Sequence, residues 1–290
     1  MFGSRTYSSA PHACKASGAG YGNLQPVIRR TSCVHQAEHP TITHTPAGDE
    51  ADLVGANLQP ADAILLLAAH VSRNVTLTEW MDPSITDEDR PYERDVELNI
   101  YDPACPNQPP YSAQFVERFR AAQIARNRRI TARVKATLAE LKAKGDDYME
   151  RPFVVAGTMC DVRWTDPAQD PSDRPAGTCY LGEPRVANDG PVGLARFTTL
   201  RSWLSQWSYD DSRAHGEKNA ANISCPVLVI NNTADLACTP SHANRLFEAV
   251  ASKDKSLVQI DKADHYYMDR KELLPQAVQT VCDWLEARSL

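Results

Sequence analysis

Apolar residues follow two rhythms along this chain. The first is the short, nearly unbroken run: Ala63-Ile64-Leu65-Leu66-Leu67-Ala68-Ala69, Phe153-Val154-Val155-Ala156, Val227-Leu228-Val229-Ile230 and Leu257-Val258-Gln259-Ile260. Runs of that length between Pro, Asp, Asn and Ser predict strands, and Ala63–Ala69 is of the kind buried on both faces of a parallel sheet. The second rhythm recurs at three- and four-residue steps. Phe115, Phe119, Ile130, Val134, Leu138 and Leu141 predict a long helix from Tyr111-Ser112 to about Lys144, stopped by Gly145-Asp146-Asp147. Leu194, Phe197, Leu200, Leu204 and Trp207 predict a helix from Gly193 to Tyr209. Two more are expected at Ser241 to Ser252, with Ser241 as its cap, and at Lys271 to Arg288, with Leu273, Leu274, Val278, Val281, Trp284 and Leu285 inward. Residues 71–112 and 150–195 carry Pro, Asp, Asn and Gly without a clear period and read mainly as loops. Strands alternating with helices in the last third mean parallel βαβ units, so the expected fold class is α/β.

Residues 1–37 stand apart, with Arg5, Lys15, Arg29 and Arg30 but no Asp or Glu before Glu38, and an irregular start is expected there. With 290 residues, 42% apolar and 23% charged, the chain suits one large domain or a core with a lid. Its longest apolar run, Ala63–Ala69, is far short of the roughly 20 residues of a membrane span. The net charge of −6 argues against nucleic acid or an anionic membrane as partner. Eight cysteines are scattered without a CxxC, and no HExxH occurs, so neither a metal site nor a disulfide framework is expected. Free thiols suit a reducing compartment, the cytoplasm, although an acid-free leader with Arg and Ser also reads as mitochondrial.

Candidate chemistry lies just past the last two strands. Val227–Ile230 is followed by Asn231-Asn232-Thr233-Ala234-Asp235, and Leu257–Ile260 by Asp261-Lys262-Ala263-Asp264-His265. Ligands and catalytic groups of open α/β sheets collect beyond the carboxyl ends of the strands. Adjacent parallel strands would bring Asp235 and His265 together there, a carboxylate holding one tautomer of a general base. Loop capping by the same two residues is the plainer alternative.

Cys225-Pro226-Val227-Leu228-Val229-Ile230-Asn231, then Asp235, then Leu257 to Ala263-Asp264-His265, then Trp284-Leu285 resembles the C-terminal half of an α/β-hydrolase. His39-Pro40 to Gly48-Asp49, followed by Pro60-Ala61-Asp62 and the Ile64–Ala69 run, is similar to the segment after the nucleophile helix. The resemblance implies Asp235 as the acid and His265 as the base of an ester or thioester hydrolase for a small apolar acyl substrate, with no cofactor. It implies an α/β-hydrolase-like, mostly parallel, N-terminally truncated sheet from residues 38–70 and 216–290. Residues 71–215 would be a large, mainly helical lid insertion.

The family's G-x-S-x-G elbow is absent. Lys15-Ala16-Ser17-Gly18-Ala19 comes nearest, and Gly22-Asn23-Leu24-Gln25-Pro26 has Leu24 at the serine position. Ser32 and Cys33 are further nucleophile candidates, but the nucleophile stays unidentified. Only 63 residues precede Ile64, too few for the family's earlier strands and oxyanion loop, and each lost oxyanion donor costs about 3–4 kcal/mol. The alternative is a non-catalytic, degenerate hydrolase that binds a small ligand or partner. A sheet edge left bare by missing strands would favour self-association. The basic residues between Arg118 and Lys144 are expected to form a solvated lid face, and Trp203 and Trp207 to pack in a core.

Overall fold

The computed structural model describes residues 36–145 and 150–290. Its strands are β1 (Ile64–Leu67), β2 (Pro152–Val154), β3 (Phe197–Thr199), β4 (Val227–Asn232) and β5 (Lys255–Ile260). Its longer helices are α1 (Arg73–Trp80), α2 (Ala113–Ala143), α3 (Pro240–Ala249) and α4 (Leu273–Glu286). The fold is mixed α/β: β1, β4 and β5 form a parallel sheet in the order β1-β4-β5. Ile64 stands opposite Val227 and Leu67 opposite Ile230, while Val227 faces Lys255 and Asn232 faces Ile260.

All six residues of β4 are buried, as its unbroken apolar run requires of a central strand. Successive side chains point to opposite faces. Ile64, Leu66, Val227 and Val229 pack with Val75 of α1 and Ala243 and Leu246 of α3. Leu228, Ile230 and Ile260 pack with Ala277, Trp284 and Leu285 of α4. Helices therefore cover both faces. Among the described residues the outer edge of β1 has no strand partner, and Leu67 there is 42% exposed.

Residues between β1 and β4 build a second core. Leu77 and Met81 meet Ile130, Val134, Leu138 and Leu141 of α2, with Leu200, Trp203 and Leu204 closing the cluster. Ser112 caps α2 by accepting from the Phe115 amide at 3.2 Å. The buried face of α2 is not purely apolar: Gln123, Arg126 and Asn127 are fully buried too. Arg126 donates to Glu88 and to the carbonyls of Asp82, Ala156 and Gly157. Other basic residues expected to be simply solvated are ion-paired, Arg118 with Glu97, Arg128 with Asp210 and Lys135 with Asp211.

Several expected elements are corrected. Residues 71–112 contain α1, whose Asn, Thr and Arg content gives no apolar period; packing against both cores makes the helix. The Phe153 run forms the expected short strand, β2, which pairs antiparallel with β3 outside the main sheet. The helix from Gly193 to Tyr209 breaks into β3, one turn at Leu200–Ser202 and a π-helix at Trp203–Trp207. Phe197 is 77% exposed rather than inward. Trp203 is fully buried and donates to Thr131 Oγ1 at 2.9 Å, as a core residue with a polar handle should. The cap of α3 is Thr239 rather than Ser241, with no side-chain bond to the helix, and Val278 of α4 is half exposed. At the return to the sheet, Gly216 lies so close to Val71 that a Cβ would stand 1.8 Å from its carbonyl oxygen.

Candidate functional site

The loops after β4 and β5 are stitched edge to edge. Thr233 N donates to Ile260 O at 3.2 Å and Ala234 N to Ala263 O at 3.0 Å. Asn232, the fully buried last residue of β4, donates to the Asp264 carbonyl at 2.9 Å and accepts from the Tyr267 hydroxyl at 3.0 Å. Lys262 turns the chain with φ +61°. Asp264 accepts from the amides of Tyr266, Met268 and Asp269. Burial works against its charge, but those amides win and hold the carboxyl below its usual pKa.

These bonds bring the two expected residues together. Asp235, fully buried, places Oδ2 2.6 Å from His265 Nδ1, while Oδ1 accepts from the amides of Ala237 at 2.6 Å and Cys238 at 2.9 Å. The carboxylate is thus fixed by its own turn, and its free oxygen fixes the ring. The His265 side chain is 6% exposed. Tyr266 stands edge-on to it at 4.5 Å between ring centroids and Tyr180 at 6.0 Å, with the two phenol oxygens 3.0 Å apart. Burial first, and the Tyr180 hydrogen bond second, push the Tyr266 hydroxyl up to about 12. Tyr180 and Tyr266 are partly exposed, as are Leu181 and Met268 close to them in sequence.

A strap from the chain between β1 and β4 holds these loops and the first turn of α3 at four points. Trp164 Nε1 donates to Leu236 O at 2.9 Å, and the Asp170 carboxylate accepts from Ser241 Oγ at 2.6 Å. Asp173 accepts from the Thr233 hydroxyl and from the Lys262 amide, and Tyr180 meets Tyr266. A cavity of about 300 Å³ opens at the two loops, lined by Asp173, Pro175, Leu236, Lys262, Asp264 and Arg270 but by neither Asp235 nor His265. A larger one of about 360 Å³, around Gln36, His44 and Arg213, shares no residue with the dyad or these loops.

The nucleophile candidates Ser17, Ser32 and Cys33, and Leu24 at the alternative elbow, lie outside the described residues. Among the described residues no serine, threonine or cysteine is hydrogen-bonded to His265. Cys238 is the surprise. One donor atom each from Asp235, Cys238 and His265 lies within 4.8 Å of the others, a grouping no sequence spacing rule had indicated. Burial, then the Asp235 charge, pushes the Cys238 thiol well above its ordinary pKa. Asn232, Asp264, Tyr180 and Tyr266 were missed as well. Asn232 at a strand end was the one legible hint among them.

A second set of buried charged groups joins the chain between β1 and β4 to α3. Arg163 donates to Glu79 at 2.7 Å and to Asp161, which also receives Arg120 at 2.8 Å. His242 Nε2 lies 3.2 Å from Arg163. Burial opposes the charges of Glu79 and Asp161, but the guanidinium groups hold both carboxyls below their usual pKa. His70, nine-tenths buried just past β1 with no partner for Nδ1, has its pKa lowered to about 3, by burial first and then by His242 and Arg73.

No protein-family model matches the chain, and no curated protein does. Solved structures share a coarse likeness. A Paleococcus ferrophilus monoacylglycerol lipase is 13% identical, over 80% of this chain and 62% of that one, with a TM-score of 0.33. BpoC of Mycobacterium tuberculosis H37Rv, assigned to the non-heme bromoperoxidases, is 14% identical over 90% and 74%, with a TM-score of 0.27. The enol-lactonase of Burkholderia xenovorans LB400 is 28% identical, but over 27% and 28% of the two chains, with a TM-score of 0.22. The chain thus spans about three-fifths of the lipase's length. Likeness at this level assigns no function. What the chain itself establishes is a parallel α/β sheet whose strand ends join a buried carboxylate to an imidazole.

Proposed function

We propose that this chain carries the acid–base half of an α/β-hydrolase-type site and acts on an ester or thioester of a small apolar acyl group. The observation that carries this reading is the 2.6 Å pairing of Asp235 with His265 beyond adjacent parallel strands. In this reading Asp235 holds the proton on Nδ1, which leaves Nε2 free to take a proton from a nucleophile and return it to the leaving group. The partly exposed Tyr180 and Tyr266, with Leu181 and Met268, suit an apolar acyl group better than a charged one. Residues 71–215 serve as the lid, and the strap is its contact with the site.

The nucleophile is sought in residues 1–35, at Ser17, Ser32 or Cys33. Fluorophosphonate labelling of the full chain, read by intact mass and peptide mapping beside His265→Ala, tests the proposal. The expected result is one adduct, on a serine, that disappears in the variant. If no serine labels, iodoacetamide at Cys33 tests a thiol. A second reading, a non-catalytic relative that binds a ligand, is favoured by the lack of a nucleophile bonded to His265 among the described residues. Silence in both labelling experiments would leave that reading standing and remove the first.

A further inference from the structure

We infer that Asp235, Cys238 and His265 form a binding site for a zinc-class divalent cation, in which the ion takes the place of the proton that the carboxylate and the imidazole share. The inference uses two residues of the proposed dyad but does not depend on any catalysis. Three donor types converge: a carboxylate oxygen, a thiol sulfur and an imidazole nitrogen, each within 4.8 Å of the other two. A tetrahedral ion with ligand bonds of about 2.0–2.3 Å sets its donors roughly 3.3–3.8 Å apart. Side-chain adjustments of a few tenths of an ångström to about an ångström therefore close the set.

The mixture of sulfur, nitrogen and oxygen selects a borderline-soft ion such as Zn²⁺ over Mg²⁺ or Ca²⁺, which need all-oxygen cages. The site is also prearranged. Asp235 Oδ1 is anchored by the Ala237 and Cys238 amides, so the turn that aims the carboxylate also places the thiol. The ring comes from the other strand end, oriented through Oδ2. Three protein ligands leave a fourth position for water or a ligand.

The protons balance simply. The Cys238 thiol gives up one proton to solvent, and the neutral imidazole moves its proton from Nδ1 to Nε2 as the ion takes Nδ1. An Nε2 that carries a proton cannot accept another. Ion and general base are therefore mutually exclusive uses of one site, and zinc would act as an inhibitor of whatever His265 does as a base.

Metal-free full-length protein titrated with Zn²⁺ by calorimetry, and with Co²⁺ by absorbance, tests the inference. One ion per chain is expected, with a thiolate-to-cobalt charge-transfer band. Cys238→Ser and Cys238→Ala should remove the band and weaken zinc binding on the order of tenfold or more, with circular dichroism unchanged. Cys225→Ser, a half-buried thiol outside the site, should change neither. Absent binding, or binding indifferent to Cys238, overturns the proposal. The dyad is read separately from the downfield proton resonance of the Nδ1–H between His265 and Asp235 in metal-free protein. That resonance should vanish as zinc is added. If it is present while zinc fails to bind, the metal site falls and the dyad stands. If zinc binds through Cys238 in a protein that never shows the resonance, the dyad falls and the metal site stands.

Discussion

The parallel sheet and the chain between β1 and β4 bury side chains of opposite character. Around β1, β4 and β5 the packed groups are Ile64, Leu66, Leu228, Val229 and Ile230, with no charge among them. Between β1 and β4 the buried groups include Arg126 and Arg163, wrapped by carboxylates and backbone carbonyls. An apolar core is forgiving of pH and salt and sensitive to lost volume. A buried ion network is the reverse: removing one partner strands the others in a place without water. The Asp235–His265 pair sits on the seam, on loops of the sheet, with its strap from the chain between β1 and β4.

The largest expected effect probes the ionic side. Arg163→Met leaves Glu79 and Asp161 short of their guanidinium and should cost about 3–5 kcal/mol in urea unfolding. Leu66→Ala, fully buried in the sheet, should cost about 3 kcal/mol with no change in pH dependence. If Leu66→Ala proves the costlier and Arg163→Met is tolerated, the contrast between the regions breaks.

The next prediction limits the contrast through pH, because the buried His70 lies just past β1, on the sheet side. The unfolded chain protonates His70 near 6.5, whereas the folded value is about 3. Stability present above pH 6.5 is therefore lost as pH falls toward 3, at up to about 1.4 kcal/mol per pH unit. Glu79 and Asp161, with lowered values, add losses only below their ordinary values of 4.5 and 3.8. Urea unfolding between pH 5 and 7.5 should show the slope in the wild type and a smaller one in His70→Gln.

On the seam, Asp235→Asn should cost about 1 kcal/mol, because the turn amides keep an acceptor. It should nonetheless abolish the downfield proton and any His265-dependent labelling. The smallest effect is expected at Val278→Ala, under about 0.5 kcal/mol, because that side chain is half exposed despite its apolar type. A loss above 1 kcal/mol there would reveal a partner on the outer face of α4.

How much of this was legible in the sequence follows the same division. The parallel strands and α2 announced themselves through apolar period, and Asp235 and His265 through their places after strand ends. The helix α1 was not legible, because Asn74, Thr76 and Thr78 are buried by tertiary contacts that no local period records. The stretch from Gly193 to Tyr209 was misread because Phe197, Leu200 and Leu204 keep helical spacing while the first of them lies on an exposed strand. Arg163 looked like any loop arginine; only its partners, from Glu79 to Asp161, give it meaning. Cys238 escaped because its neighbour in space, His265, comes from the loop after another strand.

The strap has a consequence for how such a molecule can change over generations. Trp164, Asp173 and Tyr180 each grip a different part of the β4 and β5 loops, and Asp170 grips the first turn of α3. The chain between β1 and β4 is therefore not a cassette that can be exchanged while the Asp235–His265 pair is kept. A transplanted segment must bring the same four grips, or the loops that hold Asp235 and His265 lose their tether. Inheritance of the site and inheritance of that segment are tied in one knot.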